Sequence, residues 1–447
     1  MKILLVSCAY PPHNRGGVAK LLTNLSVELI RRKHHVYVFS LIDDLKRKKY
    51  ATEDVNINGH QTRFINIPLS SLTDLFGRYR INDYYNPDIN LHFRSYLDEI
   101  QPDIIHFHAM QGLGANLITE AHKEGYPTIL TMHDVWWFCP NLFKTDLNLK
   151  PCDQTKINIH NCMICLKNLN EMSGIRNLNI ESFISDRYIY LKNVLKTDVD
   201  RILTNSFTLK EQVQHNITRE IQVNENGIIK ISKLIDKPID PHKIIFGFVG
   251  GTSELKGYNT LIDAFMNIKS SNWELHIYGI EKIGSAILYK EFIKNIKNKS
   301  FWSNFLRFLS SKKKGFFPHT NIKYFPSYSD EEKYKTLNAL DVIIIPSIIR
   351  ESFSLIAREG MILKKPIICS DCGGPEEIVK NNVNGLIFKT NNAEDLKSKI
   401  CKILSNSSLI NRFKDNIDTQ RIKSIEDQIN DLENIYKLHV SLPKKKQ

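Results

Sequence analysis

Short, almost wholly apolar runs alternate with longer amphipathic stretches along most of the chain. In the amino-terminal half the runs are Ile3–Ser7, Val36–Ser40, Ile104–His108, Thr128–Met132 and Arg201–Thr204. Each is four or five residues long and rich in Ile, Leu and Val, which predicts strands buried on both faces. Between them, Val18–Arg31 and Leu113–Lys123 repeat apolar residues at helical spacing. Strands without a polar face, alternating with helices, predict a parallel sheet covered on both sides. A second series begins after Asn226-Gly227-Ile228: Ile244–Val249, Glu274–Tyr278, Ile322–Phe325, Val342–Ile345 and Ile367–Cys369, with helices over Tyr258–Ile268 and Asp330–Leu340. Lys230 to Lys243 carries Pro238, Pro241 and several charges and reads as a linker. The chain of 447 residues therefore divides into an α/β domain over 1–230, a linker over 231–243 and a second α/β domain over 244–421. A closing helical stretch covers 422–440.

Composition narrows the class. Apolar residues make up 42% and charged residues 24%, enough to bury large cores. No stretch approaches the roughly 20 apolar residues needed to span a bilayer. Met1–Tyr10 resembles a leader only superficially, since Pro11-Pro12 follows a short apolar run without a small-residue cleavage pattern. The expectation is a cytoplasmic protein. The net charge of +13 suits phosphorylated substrates or peripheral contact with the anionic inner face of the plasma membrane. Arg31-Arg32-Lys33, Lys46-Arg47-Lys48-Lys49 and Lys312-Lys313-Lys314 carry much of it; solvated surface runs are the competing reading of each. Zinc-finger, RNA-recognition and helix-turn-helix signatures are missing, so nucleic acid is not an expected partner.

The chemistry concentrates in Arg350-Glu351-Ser352-Phe353-Ser354-Leu355-Ile356-Ala357-Arg358-Glu359-Gly360. Val342–Ile345, closed by Pro346-Ser347, predicts a strand ending in a turn, and Ser352–Leu363 has helical spacing. Glu351 then sits at the carboxyl end of a strand and Glu359 about two helical turns further on. That edge of a parallel sheet is where open α/β folds bind ligands. Backbone N–H groups at a helix start take phosphate and carboxylates take hydroxyls, which together suggest a nucleotide-sugar site. Lys365-Pro366, Gly373-Gly374-Pro375-Glu376 and Asn384-Gly385-Leu386 follow in order. This succession resembles the carboxyl-terminal signature of the retaining glycosyltransferases of family 4, which have the GT-B fold. The resemblance implies two Rossmann-like parallel-sheet domains facing across a cleft, with the last helix returning to the first domain. It also implies transfer of a hexose-type sugar from a nucleotide diphosphate sugar to a glycan or polyisoprenyl-linked acceptor, as in capsule, O-antigen or exopolysaccharide synthesis. No cofactor is then required for catalysis.

The resemblance also distributes roles. Gly16 and Gly17, between the first strand and a helix, match the donor loop; Lys20 and Leu21 stand where a dinucleotide fold would place its third glycine, which argues against a dehydrogenase. In Gly250-Gly251-Thr252-Ser253-Glu254-Leu255-Lys256-Gly257, Lys256 matches the cation that neutralises the departing diphosphate. Gly251 takes the place of the arginine common in the family, leaving Lys256 alone or with a partner such as Arg350. His133, in His133-Asp134-Val135-Trp136-Trp137, matches a histidine that contacts the donor sugar, with the tryptophans suited to stacking on sugar rings. His106 and His108, on the preceding strand, read as structural or as lining the acceptor side. Glu351 would bind the donor sugar, Glu359 the ribose, and Phe353, Ser354 and Leu355 would help hold sugar and diphosphate. Tyr278-Gly279 and Pro326-Ser327-Tyr328 would border the base. The route implied is attack on the face from which the diphosphate departs, with Glu351 a ligand rather than a nucleophile. Two other functions fit the same residues, a nucleotide-sugar epimerase and a non-catalytic sugar-nucleotide-binding protein.

Three features stand outside this scheme. Four of the eight cysteines, Cys139, Cys152, Cys162 and Cys165, cluster in an insert over 139–165, the last two as C-x2-C, and are candidates for a structural zinc site. The segment from Gly279 to Thr320 mixes Phe301, Trp302, Phe305, Phe308, Phe316 and Phe317 with basic residues, which fits either an insertion packed on the second domain or a membrane-interface helix. Asp198-Val199-Asp200 resembles a metal-binding Asp-x-Asp but abuts a strand start and reads as structural.

Overall fold

A computed structural model describes the chain apart from Arg15 and residues 69–83, 141, 143, 146–150, 153, 155, 174–179, 231–237, 241, 281–320 and 442–447. Most of the linker, the aromatic segment after Gly279 and the Lys312–Lys314 cluster lie outside the described residues. The chain forms two compact units, Met1–Lys230 together with Ile422–Gln447, and Ile231–Arg421.

The first unit holds strands β1 (Lys2–Ser7), β2 (His35–Ile42), β3 (Thr52–Ile57), β4 (His60–Asn66), β5 (Ile104–Phe107), β6 (Thr128–Met132), β7 (Arg201–Thr204) and β8 (Ile221–Val223). They form one sheet in the order β3-β4-β2-β1-β5-β6-β7-β8. All neighbours run parallel except β3 and β4, whose register closes at Ile57↔His60 across Asn58-Gly59. Both turn residues have positive φ, 50° and 86°, as a two-residue hairpin of matching twist requires. One face of the sheet packs Leu4, Val6, Ile105 and Leu130 against Phe93, Leu117 and Leu191. The other packs Ile3, Leu5, Val38 and Ile129 against Leu22 and Leu25 of the helix Gly17–Arg31. Ile429, Leu432, Ile435 and Tyr436 of the helix Ile425–Val440 belong to that same cluster. The chain leaves this unit beside that helix: the Gly227 N–H donates to Gln428 Oε1 at 2.8 Å. A Cβ on Gly227 would stand 2.4 Å from the Ser424 carbonyl, so only glycine passes there.

The second unit holds β9 (Ile244–Val249), β10 (Trp273–Tyr278), β11 (Ile322–Phe325), β12 (Val342–Ile345), β13 (Ile367–Ser370) and β14 (Gly385–Phe388). The sheet is wholly parallel in the order β11-β10-β9-β12-β13-β14. Its core joins Phe246, Phe248, Leu275 and Ile344 with Leu261, Phe265, Leu396 and Ile400 from the helices Tyr258–Met266 and Ala393–Ser405. Among the described residues no helix is long and apolar enough to cross a membrane.

Candidate active site

Each sheet reverses its strand order once, and the expected site residues lie at those places. In the second unit the order turns between β9 and β12, so the loops leaving their carboxyl ends flank a crevice. The loop after β9 is fastened from both sides. Its Gly251 N–H donates to the Tyr278 carbonyl at 2.9 Å, and the Ile348 N–H donates to the Leu255 carbonyl at 3.0 Å. Gly257 has φ +80° and presses on the turn after β12, where a Cβ would fall 1.8 Å from the Pro346 carbonyl oxygen. Glycine is obligatory there. The Lys256 ammonium donates to Glu351 Oε1 at 2.6 Å, and the Ser347 hydroxyl donates to the same oxygen at 2.6 Å. Burial alone would raise the Glu351 carboxyl; the charge and hydrogen bond of Lys256, with Ser347, hold it below the usual carboxylate range. Burial opposes the lysine's charge in the same way, and Glu351 outweighs it and raises the ammonium. Over the whole side chain Lys256 stays 42% exposed against 11% for Glu351.

Glu351 is fixed through its backbone as well. Its N–H donates to the Cys372 carbonyl at 2.7 Å, and its carbonyl accepts from the Gly374 N–H at 2.8 Å. A Cβ on Gly374 would meet the Phe353 nitrogen at 2.7 Å, which explains the Gly-Gly-Pro-Glu turn: two backbones must touch. Arg358, 2% exposed, locks this contact. Its guanidinium lies 3.6 Å from the centroid of the Phe353 ring and donates to the Phe353 carbonyl, to the Gly374 carbonyl at 3.1 Å and to Glu377 at 2.8 Å. The helix carrying Glu359 runs over Leu355–Ile362 and begins three residues later than its apolar spacing predicts, because Ser354 adopts φ +65°. A left-handed conformation is unusual for serine and marks a turn held by its surroundings. Glu359 is buried and receives the ammonium of Lys333, from the helix Asp330–Asn338. Beside them Tyr278 stacks on Phe325 with centroids 4.9 Å apart, and Tyr328 meets Tyr278 edge-on at 5.7 Å.

Gly251 has φ +59°, and a Cβ on it would stand 2.7 Å from the Gly279 carbonyl. An arginine therefore does not fit this backbone. Arg350 is exposed.

In the first unit the order turns between β1 and β5. The loop after β1 starts at buried Tyr10, whose hydroxyl bonds Ser26 at 2.8 Å and His60 at 2.7 Å. Gly16 donates its N–H to Asn14 Oδ1 at 2.9 Å and caps the helix that Gly17 opens. At the carboxyl ends of β5 and β6 stand three buried imidazoles. His106 bonds Tyr436 at 2.6 Å and Thr131 at 2.7 Å; His108 Nδ1 and His133 Nε2 are 3.0 Å apart. Burial, aided by the neighbouring His133, pushes His106 down to about 3, and burial pushes His133 down to about 4, so both are neutral near pH 7. Asp134 accepts from Gln111 at 3.1 Å and from the Trp136 N–H at 2.8 Å, tying together the loops after β5 and β6.

One expectation is corrected. Trp136 and Trp137 are 1% and 3% exposed and pack edge to face in the sheet core, with the Arg187 guanidinium 4.9 Å from the Trp136 ring. They offer no face to a sugar; the apolar demand of the core outweighs their fitness for stacking. Cys139, Cys152 and Cys165 lie within electrostatic reach of Cys162, whose thiol burial pushes up to about 12, yet no three potential ligands among the described residues are arranged to hold an ion. As thiols these side chains behave as small apolar groups: Cys162 and Cys165 pack with Leu166, Phe183 and Ile184, and Cys139 on the sheet core.

Ser347, Lys333, Arg358 and Tyr436 escaped the sequence-based reading of roles. Ser347 had a signal in its place directly after a buried strand. The others acquire partners 26, 16 and 330 positions away, which no local pattern reveals.

Comparison with known proteins gives a consistent answer. A model of glycosyltransferase family 4 matches residues 15–229, and a model of group 1 glycosyl transferases matches residues 230–420. A glycosyltransferase of Methanocaldococcus jannaschii is 24% identical over 410 residues, covering 92% of this chain and 90% of the relative. A 42.6 kDa protein in the cps region of Klebsiella pneumoniae is 22% identical over 390 residues, covering 85% and 87%. The structure of Anabaena HepE in complex with UDP-glucose superposes with a TM-score of 0.62 at 14% identity, covering 98% of this chain and all of that one. With both models placed end to end over two parallel-sheet units, the chain belongs to the family 4 glycosyltransferases and has the GT-B fold.

Proposed function

We propose that the protein is a retaining hexosyltransferase that takes a hexose-type sugar from a nucleotide diphosphate donor. Its acceptor is a glycan or polyisoprenyl-linked saccharide in the assembly of a capsule, O-antigen or exopolysaccharide. The observation that carries this reading is the Lys256–Glu351–Ser347 cluster at the β9/β12 reversal. A glycosyl transfer leaves a diphosphate, whose growing charge needs a fixed cation, and Lys256 presents one. Glu351, ionised and already accepting two hydrogen bonds on Oε1, is a weak nucleophile and a good acceptor for a sugar hydroxyl. Glu359 binds the ribose hydroxyls, and the backbone at Phe353, Ser354 and Leu355 meets the sugar and diphosphate. In the first unit Gly16 and Gly17 at a helix start take part in holding the diphosphate, and His133 meets the donor sugar.

The bond from the anomeric carbon to the diphosphate breaks, and the acceptor oxygen bonds to the same face. The acceptor's proton passes to the departing phosphate oxygen, so no protein base or nucleophile is needed and the configuration is kept. The Klebsiella relative in a cps region supports the polysaccharide role. The net charge of +13 supports a cytoplasmic enzyme that meets lipid-linked acceptors at the anionic inner leaflet.

The test is thermal stabilisation of the purified chain by a panel of nucleotide sugars, UDP-sugars first because HepE holds UDP-glucose, since ligand binding raises apparent stability. Transfer from the stabilising donor to a lipid-linked saccharide follows, with the product's anomeric configuration read by NMR. An α-linked donor is expected to give an α-linked product. An inverted product, conversion of the donor sugar without acceptor, or binding without turnover on any acceptor would each replace this reading.

A further inference from the structure

Three imidazoles form a column at the carboxyl edge of the first sheet. The His106 and His108 rings lie 4.0 Å apart, and His108 and His133 stack at 5.3 Å with 24° between planes. His106 is held at both nitrogens by the Tyr436 and Thr131 hydroxyls. His108 faces His133 through Nδ1, while its Nε2 is fully buried and finds no partner among the described residues.

This asymmetry decides where the protons sit. A neutral imidazole carries one N–H and one bare nitrogen. One of the two facing nitrogens, His108 Nδ1 and His133 Nε2, must donate to the other. If His133 Nε2 donated, His108 would carry its own proton on Nε2, a buried donor with nothing to receive it. If His108 Nδ1 donates, the unpaired Nε2 is only a lone pair. Buried donors without acceptors are rarer than under-used acceptors. We infer that His108 is a positioning residue that fixes His133 as its Nδ1–H tautomer, so that His133 offers the donor substrate a hydrogen-bond donor and not a base. The ligand atom opposite His133 Nδ1 is then an acceptor oxygen, of a sugar hydroxyl or a phosphate.

The inference rests on the proposed function for the ligand, but the tautomer does not depend on it. The first experiment is therefore long-range nitrogen–proton NMR on the full-length, ligand-free protein with 15N-labelled histidine, assigned by single substitutions. Protonation at Nδ1 of both His108 and His133 is expected; protonation of His133 at Nε2 would overturn the inference. The second compares His108→Asn, whose amide N–H reaches the place of Nδ1–H, with His108→Leu, which fills space but donates nothing. Folding is checked by circular dichroism and melting. The Asn variant is expected within about threefold of the natural kcat/KM for the donor, the Leu variant lower by tenfold or more. Equal loss in both, with intact folds, would reduce His108 to a packing role and overturn the inference. Full activity of the Leu variant, with His133 shown to have lost its Nδ1–H form, would leave the tautomer assignment standing and remove His133 from the donor site.

Discussion

The two sheet edges occupy the same place in the same kind of fold, yet they are built from opposite electrostatics. At the β9/β12 edge two glutamates each hold a lysine, Glu351 with Lys256 and Glu359 with Lys333. At the carboxyl edge of the first sheet His106 and His133 are imidazoles kept neutral by burial. Paired charges suit a ligand portion that gains charge as the reaction proceeds, and uncharged hydrogen-bonding groups suit a sugar. The contrast also divides how each region answers to acid.

The sharpest way to break the comparison is to remove a charge from the second edge. Lys256→Ala and Glu351→Gln are each expected to lower kcat about 10²–10³-fold, the usual cost of losing one group that stabilises charge in a transition state. Initial rates on variants with unchanged circular dichroism check this; near-natural turnover by either would detach the cluster from the chemistry.

Acid should separate the two edges next. The folded values of His106 and His133, about 3 and about 4, lie below their ordinary 6.5, so the unfolded chain binds the protons. The stability these groups contribute is complete above pH 6.5 and falls as the pH drops toward 4, because the unfolded chain takes up protons that the folded one refuses. Glu351 is lowered from 4.5, so its contribution survives to about that pH and is lost only below it. Denaturant midpoints followed by Trp136 and Trp137 in the first unit and by Trp273 in the second should diverge between pH 6.5 and 5, the first unit failing earlier. Coincident midpoints across that range would erase the distinction.

Restoring the common arginine should harm this protein. Gly251→Arg places a Cβ against the Gly279 carbonyl at a positive φ, and a loss of about 1–3 kcal/mol in stability is expected, read by chemical denaturation. A stable and faster enzyme would mean the loop is free to rearrange. The smallest effect belongs to Glu359→Gln, which keeps the shape and removes the charge. Donor KM should rise about tenfold with kcat little changed, measured by initial rates.

Most of the frame was legible because both sheets are built from strands buried on two faces, whose apolar runs stand out. The loops that end β9 and β13 were legible because glycine is imposed there by contact, as Gly257 against Pro346 and Gly374 against Phe353 show. The β3–β4 hairpin was passed over although Asn58-Gly59 signals it, since β3 is half exposed and lacks an apolar run. The helix start at Leu355 was misplaced because spacing cannot reveal the φ of Ser354. Arg358 and Lys333 were given no role, because their burial depends on partners supplied by other elements. The tryptophans failed for the opposite reason, since a residue fit for sugar stacking is equally fit for a core.

The helix Ile425–Val440 has one more consequence. It supplies Ile429, Leu432, Ile435 and Tyr436 to a core whose strands begin at Lys2, and Tyr436 also anchors His106. During translation the lobe that emerges first from the ribosome must wait with an open apolar groove until the other lobe has been made. A fragment ending at Lys230 would keep that groove for good, and expressed alone it should gather in inclusion bodies unless the missing helix is given back as a separate peptide.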